Sequence, residues 1–586
     1  MKHILKHFPK QCWLYVALNA VCILVQVFFE LKMPEYMAQI TALTQTQGTE
    51  MSAIITAGAK MLLCAVLTLL LAVCIHFISA KIAADYSYTV RTKLYDKVES
   101  FSLEQMNRFS TPSLITRSTN DITQVQNIIV FGTLAIIKAP VMSVWAISKI
   151  STKHWQWTLA TALCVLFICI VLLICYIFAL PKFKRIQKLT DNINRITREN
   201  LNGLRVVHAY NAEKYQEEKF EKANEEITSN NLSAHRILSI MGPSMNIVMS
   251  GMSLIIYWIG AYLINQAAMG DKLEIFSEMI VFSQYAIQII ISFMVLNMIF
   301  IMAPRAIISA QRINEVIDTE PTIFDGEYNG KNTTVKGEIE FKNVSFKYPD
   351  ASDYVLEDIS FKAKKGQTVA IIGSTGCGKT TLINLIPRFY DVTQGEVLVD
   401  GINVKDYKLK SLYDKLGYVP QRALLFSGNI NTNVAFGENE NKDYTEDDVK
   451  RAVKIAQAQE FVEKMPFEYE SDITQGGTNV SGGQRQRLCI ARALCREPEI
   501  LIFDDSFSAL DYKTDRTLRQ TLKEETSGTT NIIVAQRIGT IKDADLIIVL
   551  DEGKIAGMGK HKELLNTCDV YKEIALSQLS KEELSK

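Results

Sequence analysis

The sequence predicts a membrane α-helical bundle of six transmembrane helices followed by an α/β domain built around a phosphate-binding loop. Three observations carry this expectation. Apolar runs long enough to cross a bilayer, which takes roughly 20 residues, crowd the first half of the chain and stop near residue 305. Beyond residue 336, short β-rich runs alternate with helical stretches, as they do around a largely parallel sheet. Between one such strand and helix stands Gly373-Ser-Thr-Gly-Cys-Gly378-Lys379-Thr380.

The chain has 586 residues, enough for two or three domains, and its 63 basic and 63 acidic residues cancel. No global charge points to a nucleic-acid partner. The spans fall near 12–38, 58–80, 129–149, 157–180, 246–265 and 279–303, the first interrupted by Glu30, Lys32 and Pro34 and the third by Lys138. Six such runs in one half are hard to cover with protein, which argues against buried helices of a soluble fold. The basic start, Met1-Lys-His-Ile-Leu-Lys-His7, leads into a full-length span without a small-residue cleavage site, and reads as an interfacial helix, not a leader. Lysine and arginine counts set the orientation. The connection after the second span carries Lys81, Arg91, Lys93, Lys97, Arg108 and Arg117, whereas the loop at 44–48 has none and the loop near Gly270-Asp271 only Lys272. Lys149 and Lys153 are a minor counter-signal. Both termini are therefore expected on the cytoplasmic side of the cell membrane. Seven of the eleven cysteines sit in or near spans, none in a C-x-x-C pair, which fits soft packing better than metal binding.

The connections 81–128 and 181–245 are too polar for lipid and too periodic for disorder. In the second, Arg185, Lys188, Arg195 and Arg198 alternate with Ile186, Leu189, Ile193 and Ile196 at helical spacing. The spans should thus continue as helices into the cytoplasm, turning back at 109–113 and near Asn211-Ala212-Glu213. Pro321, Asp325-Gly326 and Asn329-Gly330 mark a polar linker. The expected division is a membrane domain 1–320, a linker 321–335 and an α/β domain 336–586, with strands at Val369–Ile372, Ile500–Phe503, Asn531–Ala535 and Leu546–Leu550.

The glycine-rich motif fits G-x-x-x-x-G-K-[ST] throughout, in the strand-loop-helix setting the chemistry requires. Gly373, Ser374, Thr375, Gly376, Cys377 and Gly378 can turn successive backbone N–H groups around a phosphate, with the helix that follows, from Thr381, adding its dipole. Lys379 is placed to reach the outer phosphates and the Thr380 hydroxyl to ligate Mg²⁺. Leu501–Asp504 is the matching apolar strand ending in an acid, Asp504, for that ion.

Val480-Ser481-Gly482-Gly483-Gln484-Arg485-Gln486-Arg487 resembles the signature of ATP-binding cassette (ABC) transporters. The order of the other motifs matches that family too: Tyr348, the phosphate loop, Gln421, the signature, the acidic strand, Ser508-Ala-Leu-Asp511 and Gly559-Lys-His561. Gly203-Leu-Arg-Val-Val-His-Ala-Tyr-Asn-Ala-Glu213 resembles the second cytoplasmic loop of exporters with six spans and one cassette. The resemblance implies two cassettes closing head to tail around two ATP molecules. Tyr348 would then stack on adenine, Thr381 and Gln421 would join the nucleotide and Mg²⁺ site, and Ser481, Gly482, Gly483 and Gln484 would face the ATP held by a partner subunit. Asp511 would lie in the loop between the two sites. The breaks near Pro112 and Asn211 would be coupling helices, and a dimer would be obligatory.

Two departures stand out. Where the family places a water-polarising glutamate, this chain has Asp505, and where it places a histidine, Gln536. Aspartate is one methylene shorter, a retreat of roughly 1 Å, and displacements of that size can cost about 10²-fold in rate. Glutamine cannot carry a proton or positive charge near neutral pH. Gln475, before the signature, replaces another frequent glutamate. The signature itself is intact. The pattern resembles the degenerate-site subunit of heterodimeric bacterial multidrug exporters, whose own site is slow and whose signature completes the partner's.

In the membrane half, Glu30 and Lys138 could contact substrate or each other, or snorkel to the interface. Gln284, Gln288 and Asn297 could line a path or bond between helices. An amphipathic drug, lipid or peptide is the expected cargo, alongside contact with membrane lipids, and export the expected direction. A slow homodimer, an importer of metal chelates and a non-transporting subunit clamped by ATP remain alternatives. The placement of Cys377 in the loop is testable: a thiol-alkylating reagent should inactivate the nucleotide site, and prior ATP should slow the labelling, measured by mass spectrometry.

Overall fold

The computed structural model describes residues 6–46, 50–151, 154–268, 271–331, 335–349, 351–439 and 443–578. The first five residues, 47–48 in the loop between the first two spans, Lys153, Gly270 and the side chain of Asn297 lie outside the described residues. Two compact units result. One comprises Met1–Glu99 and Thr111–Thr319, the other Ser100–Ser110 and Glu320–Lys586.

The first unit is all-helical. Among the described residues, six helices are long and apolar enough to cross a membrane. Met51–Glu99 has 49 residues, Trp155–Asn202 has 48 and Lys272–Asp318 has 47. At 1.5 Å per residue each runs about 70 Å, more than twice the ~30 Å hydrocarbon core, so the polar connections are indeed helical continuations of spans. The breaks between them occur where the backbone leaves helical geometry. Asn211 has φ +49° and Ser110, in the other unit, φ +57°.

Two kinds of contact hold these helices together. Apolar side chains including Ile23, Val27, Ile75, Trp157, Met252, Phe282 and Ile289 form the buried centre, while Leu62, Leu69 and Phe77 stay exposed, as lipid-facing residues do. Trp157 Nε1 donates to Ile256 O at 3.1 Å, and Gly260 has no room for a Cβ beside Met279, so the fifth span approaches its neighbours closely there. Polar pairs supply the rest. Asn19 donates to Ser79 at 2.9 Å, both fully buried. Glu30 pairs with Lys138 at 2.7 Å, and Glu35 accepts from Lys32 at 2.6 Å and from Lys149 at 2.9 Å. Below the spans, Arg117 bonds Arg312 O and the Glu315 carboxylate, tying the third-span helix to the extension of the sixth.

The second unit is α/β. Its main sheet has six strands in the order Lys554–Gly559, Leu546–Asp551, Thr368–Gly373, Thr530–Val534, Ile500–Asp504 and Leu416–Val419. All neighbours are parallel except the first pair. Strands buried on both faces need continuous apolar runs, and Ile500–Asp504 is buried at every position. All four strands expected from sequence lie side by side in this sheet. A second, antiparallel sheet (Leu356–Ala363, Ile339–Phe346, Gln394–Val399, Ile402–Asn403) covers one side.

The helix Leu103–Phe109, although its sequence lies between the second and third spans, belongs to this unit. Ser102 and Gln105 cap it reciprocally, Gln105 Nε2 donates to Thr322 Oγ1 at 3.2 Å, and Asn107 Nδ2 donates to the Tyr390 hydroxyl at 3.1 Å. The pairing of Glu30 with Lys138 makes a prediction. Lys138→Ala should lower the thermal stability of the detergent-solubilised protein by leaving a half-buried carboxylate without its partner. The swap Glu30→Lys/Lys138→Glu should recover part of the loss, with a coupling of about 0.5–3 kcal/mol in a double-mutant cycle.

Candidate nucleotide site

The site is assembled at the carboxyl ends of the parallel strands. Thr368–Gly373 delivers the glycine-rich loop. A Cβ at Gly373 would collide with the Leu550 carbonyl, and one at Gly378, whose φ is +99°, would fall 2.8 Å from Leu356. Gly376 has φ +87° with open space beside it. The loop therefore curls where only glycine fits. Lys379 opens the helix Lys379–Asn384, and its ammonium donates to Gly373 O at 2.9 Å and Ser374 O at 2.6 Å. Cys377 sits underneath, 4% exposed, so its alkylation requires the loop to open.

The neighbouring strand ends in Asp504, which accepts a hydrogen bond from the Thr380 hydroxyl at 3.0 Å. Burial pushes the Asp504 carboxyl above the usual range, the Thr380 bond opposes this, and the negative charge of Asp505 reinforces it. Asp505 has φ +46°, a strained value for a residue with a side chain, held by its N–H donating to Val534 O at 3.0 Å. Its carboxylate is the meeting point of the cluster. Oδ2 accepts from Gln536 Nε2 at 2.8 Å and lies 3.4 Å from the Gln421 amide nitrogen. Burial again raises the carboxyl, partly offset by the bond from Gln421. The sequence-predicted residues Gln421, Asp504, Asp505 and Gln536 thus converge with Thr380 and Lys379.

Tyr348 is held beside the loop, its hydroxyl 2.9 Å from Thr381 Oγ1 and its ring edge-on to Phe346 and Tyr390 at 5.0 and 5.3 Å. Ser481 caps the 14-residue helix Gly482–Cys495, receiving the Gln484 N–H while the Gln484 side chain accepts from Ser481 N at 2.9 Å. Among the described residues no hydrogen bond joins Ser481–Gln484 to the glycine-rich loop, and a Cβ at Gly482 would meet open space. Asp511 caps the next helix through Thr514 N, and the bond from that backbone holds its carboxyl below the ordinary value. Gln475 begins a short 3₁₀ turn, Gln475–Gly477. Gln284 and Gln288 lie on the sixth-span helix, and Gln288 Oε1 is buried with no hydrogen-bond partner among the described residues.

The donor set suits a magnesium nucleotide. Backbone N–H groups freed by glycine, one ammonium, and hard oxygens from Thr380, Asp504 and Gln421 match phosphate and Mg²⁺. When bound, the metal would supply charge neutralisation on the phosphates; the chain's own part is to bind, orient and exclude water.

A helical membrane bundle joined to such a site defines an ATP-driven membrane transporter. Residues 16–304 match the family described as ABC transporter transmembrane region, and residues 356–508 that described as ABC transporter. An uncharacterized ABC transporter ATP-binding protein of Mycobacterium tuberculosis is 37% identical over 569 residues, 96% of each chain. The ATP-dependent lipid A-core flippase of Pseudomonas aeruginosa is 31% identical over 494 residues, 84% of this chain and 79% of the flippase. A bacterial Atm1-family ABC exporter solved with ATP bound superposes with a TM-score of 0.77 at 23% identity, covering 97% of this chain and all of that one. The chain belongs to the ABC transporter family, as a multi-pass half-transporter with the exporter-type fold.

Sequence reasoning missed three contributors. Asn107 and Tyr390 meet only because a segment between spans folds onto the second unit, and Gln578 reaches the Gln536 backbone from the far end of the chain. None of the three carries a motif.

The raised Asp504 carboxyl has a stability consequence. A carboxyl whose folded pKa exceeds its unfolded value favours folding while protonated, and that contribution is lost as pH rises from the ordinary carboxylate range through the folded value. Without Mg²⁺, and at a pH above the ordinary carboxylate range, Asp504→Asn should therefore raise the cassette's melting point. It should also remove the further stabilisation by Mg·ATP, both read by differential scanning fluorimetry.

Proposed function

We propose that this chain is one half of a heterodimeric exporter of the cytoplasmic membrane, in which its own nucleotide site holds Mg·ATP for long periods. Its signature, Ser481 to Gln484, completes the hydrolytic site on the partner subunit. The observation that carries this reading is the contact of Gln536 with Asp505 at 2.8 Å. In a competent site the carboxylate must accept a proton from water, and the switch residue must face the terminal phosphate. Here a neutral amide occupies a shortened carboxylate. Ser481, by contrast, caps its helix and makes no hydrogen bond to this chain's glycine-rich loop among the described residues, which suits service to another subunit's ATP.

On this reading the domains are 1–320, 321–335 and 336–586, with both termini cytoplasmic. Leu103–Phe109 and Leu204–Ala209 act as coupling helices. The cargo class is amphipathic (a drug, lipid or peptide). The flippase relative supports lipids within that class. Glu30 and Lys138, paired with each other, serve the bundle's architecture more than cargo contact, while the unpartnered Gln288 oxygen marks the better candidate for a polar point in the path.

The test is the ATPase rate of the complex purified from its native host with whatever subunit accompanies it. Ser481→Arg should reduce turnover about tenfold or more, and Asp505→Asn by no more than about twofold. Equal losses would sink the assignment, and purification of this chain only with itself would favour the slow homodimer.

A further inference from the structure

The last turn of the C-terminal helix makes a contact with the site that no motif marks. Helix Asp569–Gln578 is seated on the domain by Tyr571 and Ala575, both fully buried. At its end, the Gln578 carboxamide meets the backbone just past strand Thr530–Val534. Nε2 donates to Gln536 O at 2.7 Å, and Oε1 accepts from Ile538 N at 2.8 Å. One amide thus satisfies an acceptor and a donor two residues apart, as the backbone of a neighbouring strand would.

Local chemistry explains why the turn needs it. Ile538 N is the first amide of the four-residue helix Ile538–Ile541, and leading helix amides lack an internal partner. The residue in the capping position, Arg537, offers no side-chain acceptor. Gln578 supplies it from 40 residues away. The residue so clamped is the one whose side chain holds Asp505. A continuous chain of hydrogen bonds therefore runs from the C-terminal helix through the 536–538 backbone to the carboxylate at the nucleotide site.

We propose that Gln578 is a positioning residue for the switch. By fixing the backbone at 536–538 it sets the direction in which the Gln536 amide projects, and hence its reach to Asp505 and to the outer phosphates. The C-terminal helix then becomes a strap on the switch loop, through which this end of the chain adjusts how the site holds nucleotide. The inference rests on the reading of Gln536 as the switch position, but not on which of two composite sites turns over.

The experiment uses the full-length chain, with any copurifying partner, in lipid nanodiscs. Hydrogen–deuterium exchange should show the peptide spanning 535–541 exchanging about tenfold faster in Gln578→Ala, with Thr530–Val534 unchanged. The slowest phase of release of α-³²P-labelled ATP into excess unlabelled ATP should change at least about threefold in Gln578→Ala, with no further change when it is added to Gln536→Ala. Gln578→Glu, which keeps the acceptor for Ile538 N and loses the donor to Gln536 O, should fall between. Unchanged exchange overturns the strap itself. Faster exchange with an unchanged release rate, or with an effect additive to that of Gln536→Ala, overturns the positioning role and leaves a merely structural one. Faster exchange with Gln536→Ala itself silent in the release rate overturns the role by removing the switch reading on which it rests.

Discussion

Five parallel strands, buried on both faces, end at the same level, and the glycine-rich loop, Gln421, Asp504, Asp505 and Gln536 hang from those ends. Val534 lies opposite both Asp504 and Ile371, and Val419 opposite Phe503. A parallel register of this kind places the glycine-rich loop, Gln421, Asp504, Asp505 and Gln536 within reach of one another, though they come from four separate segments. A slip of one residue in any strand would turn its side chains to the opposite face. The apolar continuity of the strands is thus what makes the polar edge possible.

That edge works against folding. Two adjacent acids are desolvated beside each other, and burial raises both carboxyls. The structure offsets the cost with donors: the Thr380 hydroxyl for Asp504, and the amide of Gln536, with Gln421 nearby, for Asp505. Gln536 satisfies a carboxylate that would otherwise be under-bonded, and in doing so takes up Oδ2, one of the two oxygens of that group.

The membrane half solves a different problem with the same economy of groups. Lipid gives helices no hydrophobic reason to associate, so close approach at Gly260 and polar pairs such as Asn19 with Ser79 and Glu30 with Lys138 take over. Outside the bilayer the same helices continue as amphipathic rods, where Arg117 and Asp121 meet the extension of the sixth span. The short helix Leu103–Phe109 leaves that body altogether and joins the α/β unit, its Asn107 on Tyr390, which packs in turn on Tyr348.

Much of this was legible in the chain, because bilayer thickness and sheet burial each impose a hydropathy pattern that survives as a string of letters. The spans, the four inner strands, the phosphate loop and the paired departures at Asp505 and Gln536 all rest on local order. The antiparallel sheet around Ile339–Phe346 was harder, since its alternation is short and broken by bulges. By itself the sequence determined which groups stand at the strand ends, Asp505 and Gln536 among them. Only the tertiary structure decided how those groups are engaged: Gln536 on Asp505, Gln578 on the Gln536 backbone, Lys138 on Glu30. Hydrogen bonds between residues tens or hundreds of positions apart depend on distances that close only when the strands and helices pack, and no periodicity along the chain encodes them.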